Sequence, residues 1–287
     1  MCNLTFAPRF NCWPAQWPFI THKDASGKVV EVHKAVLNVK VPENEEFAEF
    51  LDEFFVAFLE EDQLSTNIFC ENPADFGLEH YDAKWTTFKK FTDADLEHDI
   101  KLFEDLLKEL EVFKDAKLNE QQQIAYDNIE GFINYNIEIY GIEDYIFMNV
   151  QYVDQFGGYV ADFGTYMEAY SLRSELEVKD VVDFIESTKE AFPSYLNFVQ
   201  EKLDRGYGLS DLTINEMRGY LKELIDAEEG YYLEDVLHEK ISKLDFLTDE
   251  AKASYKQQIT DAIKDSFMVG VQELYDGLEA FIGKVAK

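Results

Sequence analysis

From Asn44 almost to the last residue, apolar side chains recur at the three- and four-residue intervals of an α-helix, and that spacing excludes most folds before any motif is considered. Phe47, Phe50, Leu51, Phe54, Phe55, Phe58 and Leu59 line one face of a first helix. The rhythm returns in Leu96, Ile100, Phe103, Leu107 and Leu110, then in Ile129, Phe132, Ile133, Ile137 and Tyr140. It closes with Ile259, Ile263, Phe267, Val271, Leu274, Leu278 and Phe281. A stripe of this width is stable only when another helix covers it, so the expected fold is predominantly all-α, a multi-helix bundle.

Turn and cap residues divide the pattern. Asn-Pro-Ala-Asp-Phe-Gly at 72–77 breaks the chain, and a loop is expected from there to about Phe91. Thr92 with Asp95 resembles a capping box, and Asn119 opens the next helix, giving an antiparallel hairpin of two helices. Val178 to Phe192 reads as one helix, with Pro193 in the first turn of another that ends at Gly206. Thr213 with Glu216 makes a capping box for a helix to about Ala227, with Gly230 beyond it. A short helix follows over Leu233 to Leu244, and Thr248 caps the long last one. Its stripe runs to Phe281 with no terminating cap in view, which predicts a half-domain with Phe267, Leu274 and Phe281 exposed and self-associating.

Composition sets a boundary near Val41 and Pro42. Residues 1–43 hold four of the six prolines and five basic residues against three acidic ones, whereas the whole chain has a formal net charge of -32. This segment is expected to be an extension, irregular or short β, with Gly27 to Val41 the best strand candidate, and residues 44–287 the helical domain. Such acidity opposes nucleic acid. No run of 18 apolar residues offers a transmembrane segment. Cys2, Cys12 and Cys70 form no CxxC pair, so neither a disulfide framework nor a cysteine zinc site is indicated. The N-terminus lacks a leader pattern, which reads as cytoplasmic, while Met-Cys is also how a lipoprotein clipped of its signal and given a start methionine would begin.

Catalytic motifs are sparse among the five histidines. His238-Glu239 lacks the second histidine of a helical zinc motif, because that position is Ser242. Asp95-x-x-His98 and Asp235-x-x-His238 echo a di-iron pair, yet in a chain with 58 acidic residues such spacings arise by composition. Neither a GxSxG elbow nor a phosphate loop occurs. No catalytic residue and no metal ligand is therefore assigned.

The stretch Tyr145 to Ser171 interrupts the helical grammar with adjacent glycines and crowded aromatics. Two glycines inside a helix would cost roughly 1 kcal/mol each, so a tight bend between helices is expected at Gly157-Gly158. Aromatics at such spacing are more often core than binding surface. If the bend lines a cleft, Tyr152, Gln155, Gly157, Gly158 and Tyr159 are the substrate-binding candidates, with Gln155 and a tyrosine hydroxyl facing a concave, solvent-reachable pocket.

The order of Glu46 to Ser65, Asn72 to Gly77, Phe91 to Phe113, Leu118 to Ile133, Val150 to Tyr159, Val178 to Gly206 and the helix from Leu247 resembles the bacterial family catalogued as domain of unknown function 885. The likeness spans about residues 44 to 287. That family looks like helical metallopeptidases, similar in plan to carboxypeptidase Taq, with a zinc-binding His-Glu-x-x-Pro-Gly-His in the C-terminal half. This motif is missing here, so the resemblance implies a non-catalytic N-terminal half, one wall of a substrate cleft, with zinc and peptide substrate engaged by an absent C-terminal half. The alternative is a self-sufficient acidic helical protein that binds a partner without catalysis.

Overall fold

The computed structural model describes residues 22–23, 29–30, 42–59, 62–88, 93–148, 153–154, 157–227 and 232–284. Among them the chain is predominantly α-helical, as the apolar spacing requires. It divides into two compact units, one made of Met1–Ala48 and Glu97–Ile137, the other of Glu49–Leu96 and Glu138–Lys287.

In the first unit, two-residue strands β1 (His22–Lys23) and β2 (Val29–Val30) pair antiparallel within the expected extension. The first turn of α1 (Glu45–Leu59) is capped by Asn44, whose Oδ1 accepts the Phe47 amide at 3.0 Å. Gln122 clamps the same residue, accepting from Asn44 N at 2.9 Å and donating to Asn44 O at 2.8 Å. Helices α3 (Asp93–Glu111) and α4 (Glu120–Tyr140) pair through Phe103 on Phe132, at 5.9 Å between ring centroids. Phe47 bridges Phe113 and Tyr126, and the order of these contacts is that of an antiparallel hairpin. Asn119 caps α4, its Oδ1 accepting the Gln122 amide at 2.9 Å. Thr92 lies outside the described residues.

In the second unit, α2 (Gln63–Phe69) and a 3₁₀ turn (Pro73–Phe76) precede an extended strap, and Gly77 ends the turn at φ 69°, a left-handed conformation that favours glycine. Next come α5 (Tyr145–Met148), strands β3 (Val153–Asp154) and β4 (Gly157–Gly158), and α6 (Tyr159–Ala169). The centre is α7 (Glu175–Asp204), followed by α8 (Asp211–Ile225), α9 (Tyr232–Ser242), α10 (Asp249–Ala262), a π turn (Ile263–Phe267) and α11 (Met268–Glu279).

Three sequence expectations are corrected. Pro193 opens no second helix but lies inside α7, a single helix of 30 residues. An interior proline costs about 3 kcal/mol, and α7 absorbs it because Phe184, Ile185, Ala191, Phe192, Tyr195 and Val199 are buried on both sides of it. The cap of α8 is Ser210, three residues before the expected Thr213, whose own amide donates to Ser210 Oγ at 3.1 Å. The last stripe is not exposed: Phe267, Leu274 and Phe281 are buried in the main core. They are covered because α10 and α11 run beside α7, with Tyr255 on Glu175, Gly270 on Thr188 and Gly277 on Leu196 in register. Beyond α11, Gly283 at φ 77° donates its amide to Asp211 Oδ1 at 2.7 Å, supplying the terminating glycine that the stripe alone did not reveal.

Candidate functional site

Gly158 stands at φ 104°, a region that glycine alone enters freely, and its amide donates to Asp162 Oδ1 at 3.2 Å as α6 begins. The bend is therefore not a plain helix-to-helix corner: Gly157 and Gly158 pair with Asp154 and Val153 in a minimal antiparallel ladder. Tyr152 and Gln155 lie outside the described residues. Tyr159 turns inward and is 5% exposed, packed against Trp85, Phe88, Phe192 and Tyr195. Its hydroxyl donates to the backbone carbonyls of Ala191, at 2.8 Å, and Thr86, and burial pushes its pKa above the ordinary tyrosine range. A phenol held this way fixes a loop to a helix and faces no solvent-reachable pocket.

A second polar constellation, which periodicity did not single out, surrounds Asp180 on α7. Its side chain is 2% exposed, and it accepts from three elements: His80 Nε2 faces Oδ1 at 2.8 Å, while Tyr170 Oη donates to Oδ2 at 2.8 Å and Gln63 Nε2 approaches Oδ2 at 3.5 Å. Gln63 also donates to Tyr170 Oη at 3.2 Å and accepts the Tyr81 amide at 3.0 Å. Burial first, and then the adjoining Asp180 carboxylate, raises the pKa of Tyr170, keeping its proton on oxygen. One turn along α7, burial likewise raises the pKa of Asp183. The imidazole of His80 remains 40% exposed, so it is the only member that meets water. Chemically this is an oriented histidine backed by a carboxylate, the arrangement that fixes an imidazole in one orientation. No nucleophile accompanies it in the described contacts.

The residues near His80 continue as an extended strap, 79–88, laid along α7. Trp85 N donates to Ser187 Oγ and Phe88 N to Ser194 Oγ, both at 2.8 Å. Asp180, Ser187 and Ser194 follow one another at seven-residue steps, two helical turns apart, on one line of the helix. From His80 to Phe88 an extended chain covers about 26 Å, and from Asp180 to Ser194 or Asn197 a helix rises about 21 to 26 Å, so strap and helix keep pace.

The described contacts of His238 are structural. His238 Nε2 lies 2.9 Å from Lys256 O and 3.3 Å from Thr260 Oγ1, whose proton goes to Glu234 Oε1. Its ring thus ties α9 to α10. Among the described residues no three His, Cys, Asp or Glu side chains converge as metal ligands. Nor is any described helix long and apolar enough to cross a membrane.

No family model matches the sequence, and no curated protein does. The fold is similar to that in "The crystal structure of the putative lipoprotein from Colwellia psychrerythraea", with a TM-score of 0.62 at 17% sequence identity. The match covers 85% of this chain and 42% of that one, so the chain spans less than half the length of the protein it resembles. The class of protein this defines is a predominantly α-helical chain with the fold of part of a longer protein.

Proposed function

We propose that the chain forms a non-catalytic helical wall of a larger metallopeptidase-like hydrolase, with peptide substrate held between this wall and a part of the protein that carries zinc. The observation that carries the reading is the unequal coverage of the Colwellia likeness, in which 85% of this chain lies over 42% of a longer one. The order of elements quoted above supplies the hydrolase class. For location, the proposal is cytoplasmic for the chain as written, with a lipid-anchored or secreted form as the alternative that the description of the Colwellia protein supports.

A second reading has its own observation. Phe267, on Phe163 and Phe192, is buried together with Leu274 and Phe281, and α11 lies against α7 and α8, so the second unit covers this stripe, as an acidic binding protein that acts without catalysis would. One experiment separates the two: the product of the gene's entire reading frame and the 287-residue chain are assayed side by side on a peptide library, with and without chelator. Chelator-sensitive cleavage by the former, with none by the latter, is the expected result. A reading frame without a His-Glu-x-x-Pro-Gly-His segment, together with no cleavage by either, would replace the hydrolase reading with the binding one.

A further inference from the structure

The strap is held to its host in an unusual way for a segment inside a helical unit. Tyr81, Trp85 and Phe88 donate their amides to the side chains of Gln63, Ser187 and Ser194. The carbonyl of Thr86 accepts from Tyr159 Oη, and that of Phe88 from Asn197 Nδ2 at 3.5 Å. Each of these bonds joins strap backbone to a host side chain. Along the same segment Asp82 and Lys84 are exposed while Ala83 and Trp85 are buried, the two-residue alternation of an extended chain. Trp85 enters an aromatic bed of Tyr159, Phe163 and Tyr166 from α6.

Main-chain groups read by host side chains, with alternate residues in pockets, is how a groove holds an extended peptide. The docked state is also imperfect, because the Trp85 indole Nε1 is buried with no hydrogen-bond partner, a cost that its release would remove. Each serine peg is also bonded to its own helix. Ser187 Oγ donates to Phe184 O at 2.7 Å and Ser194 Oγ to Ala191 O at 2.5 Å, which aims the lone pairs of each hydroxyl outward to accept an amide.

We propose that α6 and α7 form a groove for an extended polypeptide segment, that the strap 79–88 occupies it in cis, and that the strap opens as a unit of its own so that another segment takes its place. The occupant is a peptide with a small residue followed two places later by an aromatic one, matching Ala83 and Trp85. Its N-terminal side favours an imidazole or a cation, since Asp180 stands there beside Asp183. The groove rests on the proposed function only in taking such a peptide to be a substrate segment; its recognition chemistry needs no metal.

Hydrogen exchange on the 287-residue chain tests the opening. The Trp85 and Phe88 amides are expected to exchange roughly 100-fold or more faster than those of Phe184 and Ile185 in α7, reflecting a local opening below the global one. Exchange of all four at one common rate would overturn the proposal. Replacement is tested with a synthetic peptide of residues 79–88 added to the Trp85→Ala chain, which leaves every groove residue in place. Binding that slows α7 exchange, and is lost in a peptide with alanine at the tryptophan position, is expected; a folded Trp85→Ala chain that ignores the peptide at millimolar concentration would overturn it. Should Trp85→Ala not fold, the exchange rates of the unaltered chain still decide. Neither readout uses hydrolysis, so failure here leaves the hydrolase reading standing, and an inactive full-length protein leaves the groove standing.

Discussion

Helix α7 meets its neighbours by two different kinds of chemistry. Toward α11 it closes by shape: an added Cβ on Gly270 would stand 2.6 Å from Thr188 O and one on Gly277 2.2 Å from Leu196 Cδ1, so backbone and side chain pack directly against the two glycines. Toward the strap it closes by polar pegs, with Asp180, Ser187 and Ser194 each meeting one group of an extended chain. The first contact buries apolar area and has no register except fit. The second sets register residue by residue. The contrast teaches why one helix can be both the immovable centre of a core and the host of a segment that opens.

The seam gives the largest expected effect. Gly270→Ala should cost about 2 to 3 kcal/mol in urea denaturation, because its new methyl meets a backbone carbonyl that cannot rotate away. Gly277→Ala should be nearly neutral, since the Leu196 side chain it meets can change rotamer and alanine contributes up to about 1 kcal/mol of helix propensity. Equal losses at both positions would mean that the seam is not decided by which atom stands opposite.

Between the two extremes lies a buried cation near the C-terminal end of α7. Burial lowers the pKa of Lys202 to about 8, and its ammonium donates to Phe147 O. A lysine with a depressed folded-state pKa binds fewer protons folded than unfolded between about pH 8 and the ordinary value near 10.4, so stability rises with pH across that window. Relative to Lys202→Met, the unaltered chain should gain about 1 to 2 kcal/mol between pH 8 and 9.5, read from paired denaturation curves. A constant difference would remove the desolvation account.

A smaller loss than at Gly270 belongs to the pegs. Ser187→Ala should cost about 1 kcal/mol, the loss of one partner for the Trp85 amide, and should speed exchange of that amide while leaving α7 amides nearly unchanged. An equal loss of protection throughout α7 would erase the distinction between seam and strap.

Much of this fold was legible in local chemistry. The apolar stripes marked the long helices, and Asn119 and Thr248 were recognisable caps, the latter accepting the Ala251 amide at 3.2 Å. The caps that were misplaced or missed share a cause. Ser210, Thr213 and Ser174 all carry a hydroxyl ahead of apolar periodicity, and the choice among them depends on which backbone turns first. Ser174 with Glu177 forms a full capping box that precedes the first buried residue of α7, Val178, by one helical turn. Pro193 shows the limit more sharply, since its local preference to start a helix is outweighed by burial on both flanks.

Of the candidate site, Gly158 was legible because positive φ leaves a residue-type signature, whereas the inward turn of Tyr159 was not, because a tyrosine has the same letter in a groove and in a core. His80 and Asp180 are 100 residues apart, and no periodicity links a loop histidine to a helix aspartate. The line Asp180, Ser187, Ser194 was present as a seven-residue spacing without meaning until the strap gave it one. By itself, then, the sequence determined that this protein is predominantly helical, where most helices begin, and that the backbone turns at Gly77 and at Gly157-Gly158, since these follow from apolar period, capping and backbone sterics. Only the tertiary structure decided that the last stripe is enclosed, that α7 runs unbroken through Pro193 and that a strap lies on its polar line, because each depends on long-range packing that outweighs local preference by a few kcal/mol.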